Sequence, residues 1–176
     1  MVRPAFPLMC KSGYGRVVLT ASDVGLHGRP HRANYAAAKA GVIGLSHVVA
    51  LEGAAEGVKC NAILPGAVTR MAEGHDTTGL PPTLSPDTVA HAVGWLAHES
   101  CSITGEMLIS VSGRIARAFV AETRGACRGT WSMEQIDEQM DAIRATDGFI
   151  SFAPAPSGHD DHLRYTIEMS RRVLSH

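Results

Sequence analysis

Three short apolar runs punctuate the first two thirds of the chain, and longer stretches with helical spacing separate them. Gly15-Arg16-Val17-Val18-Leu19-Thr20 is the first run, and it reads as a buried strand over 16–20. Lys59-Cys60-Asn61-Ala62-Ile63-Leu64 is the second, a strand over 59–64 that closes in the turn Pro65-Gly66. Met107 to Val111 is the third, with Gly113 ending it. Such runs do not alternate cleanly, which is the pattern of strands covered on both faces in a parallel sheet. Between the first two lies a helix over 34–56, with the apolar stripe Val42, Ile43, Leu45, Val48, Val49 and Leu51. Its other positions are unusually small (Ala36, Ala37, Ala38, Ala40, Gly41 and Gly44), which permits close backbone approach. Gly57 is placed to stop it. Ser85-Pro86-Asp87 starts another helix, serine as cap and proline at the first position, with Val89, Val93 and Leu96 inward. Strands 16–20, 59–64 and 107–111, joined by right-handed helical crossovers, make an α/β fold with a parallel sheet.

The remainder is less regular. Residues 70–85 are rich in Gly, Thr and Pro and have no period. Residues 115–123 read as one more strand or as a short helix. Ser132 with Gln135 forms a capping box, and Met133, Ile136, Met140 and Ile143 then share one helix face up to Asp147-Gly148. Phe149 to Gly158 is proline-rich and extended. Asp160 to Leu174 reads as an amphipathic helix with Leu163, Ile167 and Val173 inward. Residues 1–113 are expected to form the minimal fold, and 114–176 an extension packed on the same domain.

Composition excludes several classes of function. With 176 residues the chain suits one domain with a sizeable core. A net charge of −1 gives no electrostatic case for nucleic acid or an anionic membrane. No apolar run is long enough to span a bilayer, and residues 1–10 make a poor signal peptide. Cys10, Cys60, Cys101 and Cys127 have no paired spacing, so reduced thiols and a cytoplasmic location are expected, with no metal site. His159 and His162 read as part of a solvated segment, and His27 and His31 as loop surface or, alternatively, the rim of a substrate entrance.

Chemistry concentrates between residues 22 and 39. Tyr35 and Lys39 lie four positions apart, one helical turn, so they share a face. A free phenol has a pKa near ~10 and is a poor proton shuttle at neutral pH. A lysine ammonium within a few ångströms favours the phenolate. The tuned phenol can then exchange a proton with a carbonyl or alcohol oxygen. Ser22, from the end of the first strand, can hold the same oxygen. A Tyr-x-x-x-Lys pair alone is common by chance; here it follows a strand that ends at serine and precedes a strand that ends in Pro65-Gly66.

With those motifs in this order, the chain resembles the short-chain dehydrogenase/reductase family. The resemblance makes Ser22, Tyr35 and Lys39 the catalytic residues. It makes Tyr35, Lys39, Pro65, Gly66, Val68 and Thr69 contacts to the nicotinamide end of NAD or NADP. The segment Trp95-Leu96-Ala97-His98-Glu99-Ser100-Cys101 and the tail after Gly113 resemble the (3R)-hydroxyacyl-CoA dehydrogenase subgroup, that of the peroxisomal multifunctional enzymes of type 2 and their bacterial relatives. The resemblance implies hydride transfer to or from a small-molecule secondary alcohol or ketone, such as a 3-hydroxyacyl thioester. It makes residues 70–85 a substrate lid and gives the outer face of helix 34–56 to a partner subunit.

One part of the pattern is missing. Dinucleotide folds hold pyrophosphate at a glycine-rich turn between a strand and a helix. Gly13-Tyr14-Gly15 instead leads into a strand, and Pro4 to Met9 reads as the end of a helix. The expectation is therefore the C-terminal half of a Rossmann-like doubly wound sheet, from a truncated gene, a mis-assigned start or a cloned fragment. Strand 16–20 is then expected to carry an open edge, and the chain to bind NAD(P) weakly and to form homo-oligomers or aggregate. The alternative to an enzyme is an inactive remnant acting only as an oligomerisation module.

Overall fold

The computed structural model describes residues 2–72 and 78–174. Their contacts form two compact units, Met1–Ala118 with Pro154–Pro156, and Phe119–Ala153 with Ser157–His176. The first runs α1 (Val2–Ser12), β1 (Gly15–Thr20), α2 (Val24–His27), α3 (Ala33–Gly53), β2 (Val58–Gly66), α4 (Pro86–Ala97), β3 (Met107–Val111) and β4 (Arg114–Ala118). The sheet order is β1-β2-β3-β4. The three expected strands are parallel neighbours, Thr20 opposite Ile63 and Leu64 opposite Ile109. β4 adds an antiparallel edge through the turn Ser112-Gly113, both residues at positive φ. Two such residues suit a tight hairpin.

β2 is the centre of the core. Cys60, Ala62 and Leu64 face one side, and Ile63 the other. On the first side Ile43, Val49 and Ala50 of α3 close over β2, with Val2 and Phe6 of α1 beside them. On the second, Ala92 and Leu96 of α4 pack with Cys101. Ser85 accepts the Asp87 N–H at 3.2 Å with Pro86 next, so α4 starts at its expected cap. Asn61, also buried, donates to the Ile103 carbonyl and accepts the Glu106 N–H, each at 3.0 Å. That pairing ties the approach to β3 onto β2 and satisfies a polar group inside the core. Burial pushes the Cys60 thiol up to about 12, so it stays protonated and unreactive.

Among the described residues β1 has a strand, β2, on one side. Val17 and Leu19 face the α1 and α3 side, while Val18 faces α4. Both faces are therefore apolar and covered, as in a strand interior to a parallel sheet. Arg16 fastens this edge to the end of α4, donating to the His98 and Glu99 carbonyls at 3.3 and 3.1 Å. A cation suits those helix-terminal acceptors.

In the second unit β5 (Glu122–Thr123) pairs antiparallel with β6 (Phe149–Ile150). Residues 115–123, a strand or a short helix by sequence and a strand by the subgroup resemblance, hold parts of two strands in two sheets. Both bonds of the Ser132/Gln135 capping box are present at the start of α5 (Met133–Glu138). The helix expected to continue to residue 146 breaks at Gln139, whose φ of −98 and ψ of 5 leave the helical region. α6 (Met140–Arg144) resumes beyond it. The last helix, α7 (His159–Leu174), forms where expected but presents a different face. Leu163 and Ile167 are 46% and 41% exposed. His162 and Tyr165 instead meet Phe152, at ring separations of 5.3 and 5.7 Å. His162 also lies 3.4 Å from the Glu122 carboxylate. Aromatic contact decides the rotation here, a preference that aliphatic spacing does not register. The Val173 side chain lies outside the described residues.

These faces predict opposite mutational costs. Leu96→Ala should destabilise the chain by about 2–5 kcal/mol through the cavity it leaves. Ile167→Gln should stay within about 1 kcal/mol, because the side chain is already half in water. Urea unfolding followed by circular dichroism checks both; a large loss at Ile167 would place it inward after all.

Candidate active site

Ser22 follows β1 by two residues and is buried. Ala21, between them, donates its N–H to the Ile63 carbonyl at 2.8 Å, which holds the strand end against β2. The Asp23 carboxylate then accepts the Val24 N–H at 2.9 Å and starts α2. α2 packs on α3 where Gly25 faces Lys39 and Ala40. A Cβ on Gly25 would lie 2.9 Å from the Ala40 nitrogen and 3.1 Å from the Lys39 Cβ. Only glycine permits that approach.

α3 carries the other two groups. Tyr35 is 41% exposed, so its ring is open to a ligand. Lys39 Nζ lies 5.6 Å from the Tyr35 ring centroid. The same ammonium donates to the Thr20 carbonyl at 2.9 Å. It thus links the end of β1 to the turn of α3 that follows Tyr35. Ser22, Tyr35 and Lys39 are gathered around one place, the carboxyl end of β1.

Pro65 and Gly66 stand at the carboxyl end of the neighbouring strand β2. Gly66 lies against Val111, whose Cγ2 would be 2.8 Å from an added Cβ. Beyond it the Val68 N–H donates to the Leu84 carbonyl at 2.8 Å. Thr69 Oγ1 accepts the Met71 N–H at 3.2 Å. Leu84 belongs to the stretch expected as a lid. That stretch is anchored at its far end by Thr83 Oγ1, 2.7 Å from Ser112 Oγ; residues 73–77 of it lie outside the described residues. In open parallel sheets, ligands bind in the crevice beyond the carboxyl ends of the strands. Every expected site residue lies at such an end or on α3 beside it.

Residues 1–78 match the family model for short chain dehydrogenases. The chain belongs to the short-chain dehydrogenase/reductase family, a family of oxidoreductases. It is 42% identical over 122 residues to the peroxisomal multifunctional enzyme type 2 of Drosophila melanogaster, across 69% of this chain and 20% of that protein. It is 36% identical over 123 residues to a 3-oxoacyl-acyl-carrier-protein reductase of Rickettsia bellii, across 60% of this chain and 48% of that protein. The solved structure of the full-length Drosophila enzyme superposes with a TM-score of 0.78 and 29% identity, covering 96% of this chain and 31% of that one. This short-chain dehydrogenase/reductase thus spans a fifth of one relative's length and about half of the other's.

Two neighbours of the candidate groups escaped the sequence reading. Asp23 resembles any capping residue, and only the fold puts its carboxylate on Ser22. Gly25 sits in an ordinary loop composition, and only the crossing of α2 over α3 gives it a task.

Gly25→Ala should therefore act on Lys39 through the backbone. Overpacking at such a crossing costs about 1–3 kcal/mol. The thermal midpoint should fall, and backbone amide shifts at Lys39 and Ala40 should move more than those of β3. Unchanged shifts at Lys39 would show that α2 yields instead.

Proposed function

We propose that these residues serve NAD(P)-dependent interconversion of a secondary alcohol and its ketone. The observation that supports this most is the gathering of Ser22, Tyr35 and Lys39 at the carboxyl end of β1, beside Pro65-Gly66 at the end of β2. The donor set fits the nicotinamide end of the cofactor. The Lys39 ammonium suits ribose hydroxyls, and the Val68 N–H suits a carboxamide oxygen once its present acceptor is displaced. Bound there, the nicotinamide supplies hydride exchange. Among the described residues no glycine-rich turn joins a strand to a helix in the manner of a pyrophosphate cradle.

Tyr35 is the proton donor and acceptor at the substrate oxygen. Lys39 holds a positive charge beside the ring as the proton leaves, and orders the ribose. Ser22 positions the substrate oxygen. The Rickettsia relative is named for reduction of a 3-oxoacyl thioester; the same class, with its 3-hydroxyacyl partner, is the substrate proposed here. The four free cysteines suit the reducing cytoplasm as the place of action.

The test replaces the matching segment of the Rickettsia reductase with residues 15–113 of this chain. The chimera should reduce a 3-oxobutyryl thioester with a nicotinamide cofactor. Tyr35→Phe in it should cost about 10²- to 10⁴-fold in kcat with cofactor binding kept. Retention of more than a tenth of the rate would remove Tyr35 from the acid/base role. The isolated chain should bind NADH more weakly than micromolar, read by fluorescence titration.

A groove between α1 and α3 supports a second copy of the chain as partner. It has a volume of about 580 Å³, with Phe6, Leu45, Val48 and Val49 along it and Arg3 and Glu52 among its charged lining. Leu45 and Val48 are half exposed, on a helix whose buried residues are Ile43, Ser46, Val49, Ala50 and Gly53. One cation and one anion make the surface self-complementary under a two-fold axis, which is the requirement of an isologous dimer. If the chain lacks turnover, this face remains its function as an oligomerisation module. Light scattering after size exclusion at micromolar concentration should give a dimer or larger species. Val48→Asp should shift it to monomer with little change in thermal midpoint; a monomeric parent overturns the assignment.

A further inference from the structure

We propose that Asp23 is a positioning residue that sets the Ser22 hydroxyl to receive an alcohol in preference to a ketone. The proposal rests on the assignment of Ser22 as the group that holds the substrate oxygen. Ser22 Oγ lies 3.0 Å from Asp23 Oδ1, and the Val24 N–H points at Ser22 Oγ from 3.2 Å. An ionised carboxylate has no proton to give, so the Ser22 hydroxyl is the donor to Asp23. A hydroxyl has one proton and two lone pairs. The proton is directed to Asp23, and one lone pair takes the longer branch of the Val24 N–H, which is shared with Asp23 Oδ1. What remains for a ligand is a single lone pair.

That remainder discriminates between the two ends of the reaction. A secondary alcohol has a proton to offer and completes the Ser22 oxygen. A ketone has only lone pairs, and meets another lone pair unless Ser22 turns its proton away from Asp23. Turning breaks a hydrogen bond to a charged acceptor, which is worth more than a neutral one. The carboxylate cannot easily follow the turn. Its Oδ1 also accepts the Val24 N–H at 2.9 Å. α2, which Asp23 caps, is held on α3 at Gly25. Ser22 itself is buried, so water does not readily replace Asp23 as acceptor. Asp23 is exposed on its outer side, and solvent screening reduces the effect.

The competing account is that Asp23 only caps α2. Substitutions separate the two. Asp23→Ser keeps a hydroxyl oxygen near the start of α2 in place of the carboxylate that accepts the Val24 N–H. Its hydroxyl can also donate, which frees the Ser22 proton for a carbonyl. Asp23→Asn keeps both the cap and an acceptor oxygen for Ser22. Asp23→Ala removes both.

The probes are the N-acetylcysteamine thioesters of 3-hydroxybutyrate and 3-oxobutyrate, measured against the full chain by ligand-observed NMR without cofactor. The parent chain should bind the hydroxy probe more tightly than the oxo probe. Asp23→Ser and Asp23→Ala should shift that affinity ratio toward the oxo probe by about three- to tenfold. Asp23→Asn should keep most of the parent ratio. A shift in Asp23→Ala alone, accompanied by a lower thermal midpoint, would assign Asp23 to capping and overturn the proposal. An unchanged ratio in all three variants, with binding still lost in Ser22→Ala, would overturn it and leave the role of Ser22 intact. Failure of the parent to bind either probe would overturn both the proposal and the substrate reading beneath it.

Discussion

The contact between the Lys39 ammonium and the Thr20 carbonyl holds the candidate site together. It runs from a helix to the last residue of a strand at 2.9 Å. Thr20 ends a strand whose one strand neighbour among the described residues is β2. Ile43, Val49 and Ala50 set the height of α3 over the sheet, and Lys39 adds a charged donor at the strand end. That height decides where Tyr35 stands, one turn earlier on the same helix. The crossing at Gly25 supports the same placement from the other direction, because α2 bears on the backbone of Lys39 and Ala40. Ser22, Tyr35 and Lys39 therefore depend on one another through the main chain as well as through their chemistry.

Two of the donors that the family resemblance gives to the cofactor already have partners within the chain. Lys39 serves Thr20, and the Val68 N–H serves Leu84. This follows from a general rule: polar groups near a folded surface seek partners, and a nearby carbonyl is the nearest one. A ligand at this crevice must displace those acceptors, so its binding is an exchange of hydrogen bonds with a small net gain. The segment containing Leu84 is also tied by Thr83 to Ser112 at the β3–β4 turn. Displacement at Val68 is thereby coupled to a segment that reaches the far edge of the sheet.

β1 shows what happens when a strand of interior character stands at an edge. Val17, Val18 and Leu19 are apolar toward both layers, and α1, α3 and α4 cover them. Its polar neighbours are cations: Arg16 is fastened to the end of α4 and Lys39 to Thr20. Positive charge along a strand edge discourages pairing with a like edge. The α1–α3 groove, the surface proposed for a second copy of the chain, instead carries charges of both signs.

The sequence by itself determined the three parallel strands, the central helix, the cap of α4 and the capping box of α5. Each follows from local chemistry: an unbroken apolar run, a 3.6-residue stripe, or a serine three residues before its partner. It also determined the candidate chemistry, because Tyr35 and Lys39 must share a helix face and Ser22 must end a strand. Only the tertiary structure decided which groups these side chains touch. The acceptor of Lys39 is a backbone carbonyl, and backbone atoms leave no mark in residue identity. Asp23 and Gly25 gained their tasks from the meeting of α2, α3 and the end of β1. The face that α7 presents is set by the contacts of His162 and Tyr165 with Phe152 and of His162 with Glu122. Periodicity reports how a segment distributes its apolar surface; which part of that surface is covered depends on the neighbours the fold supplies.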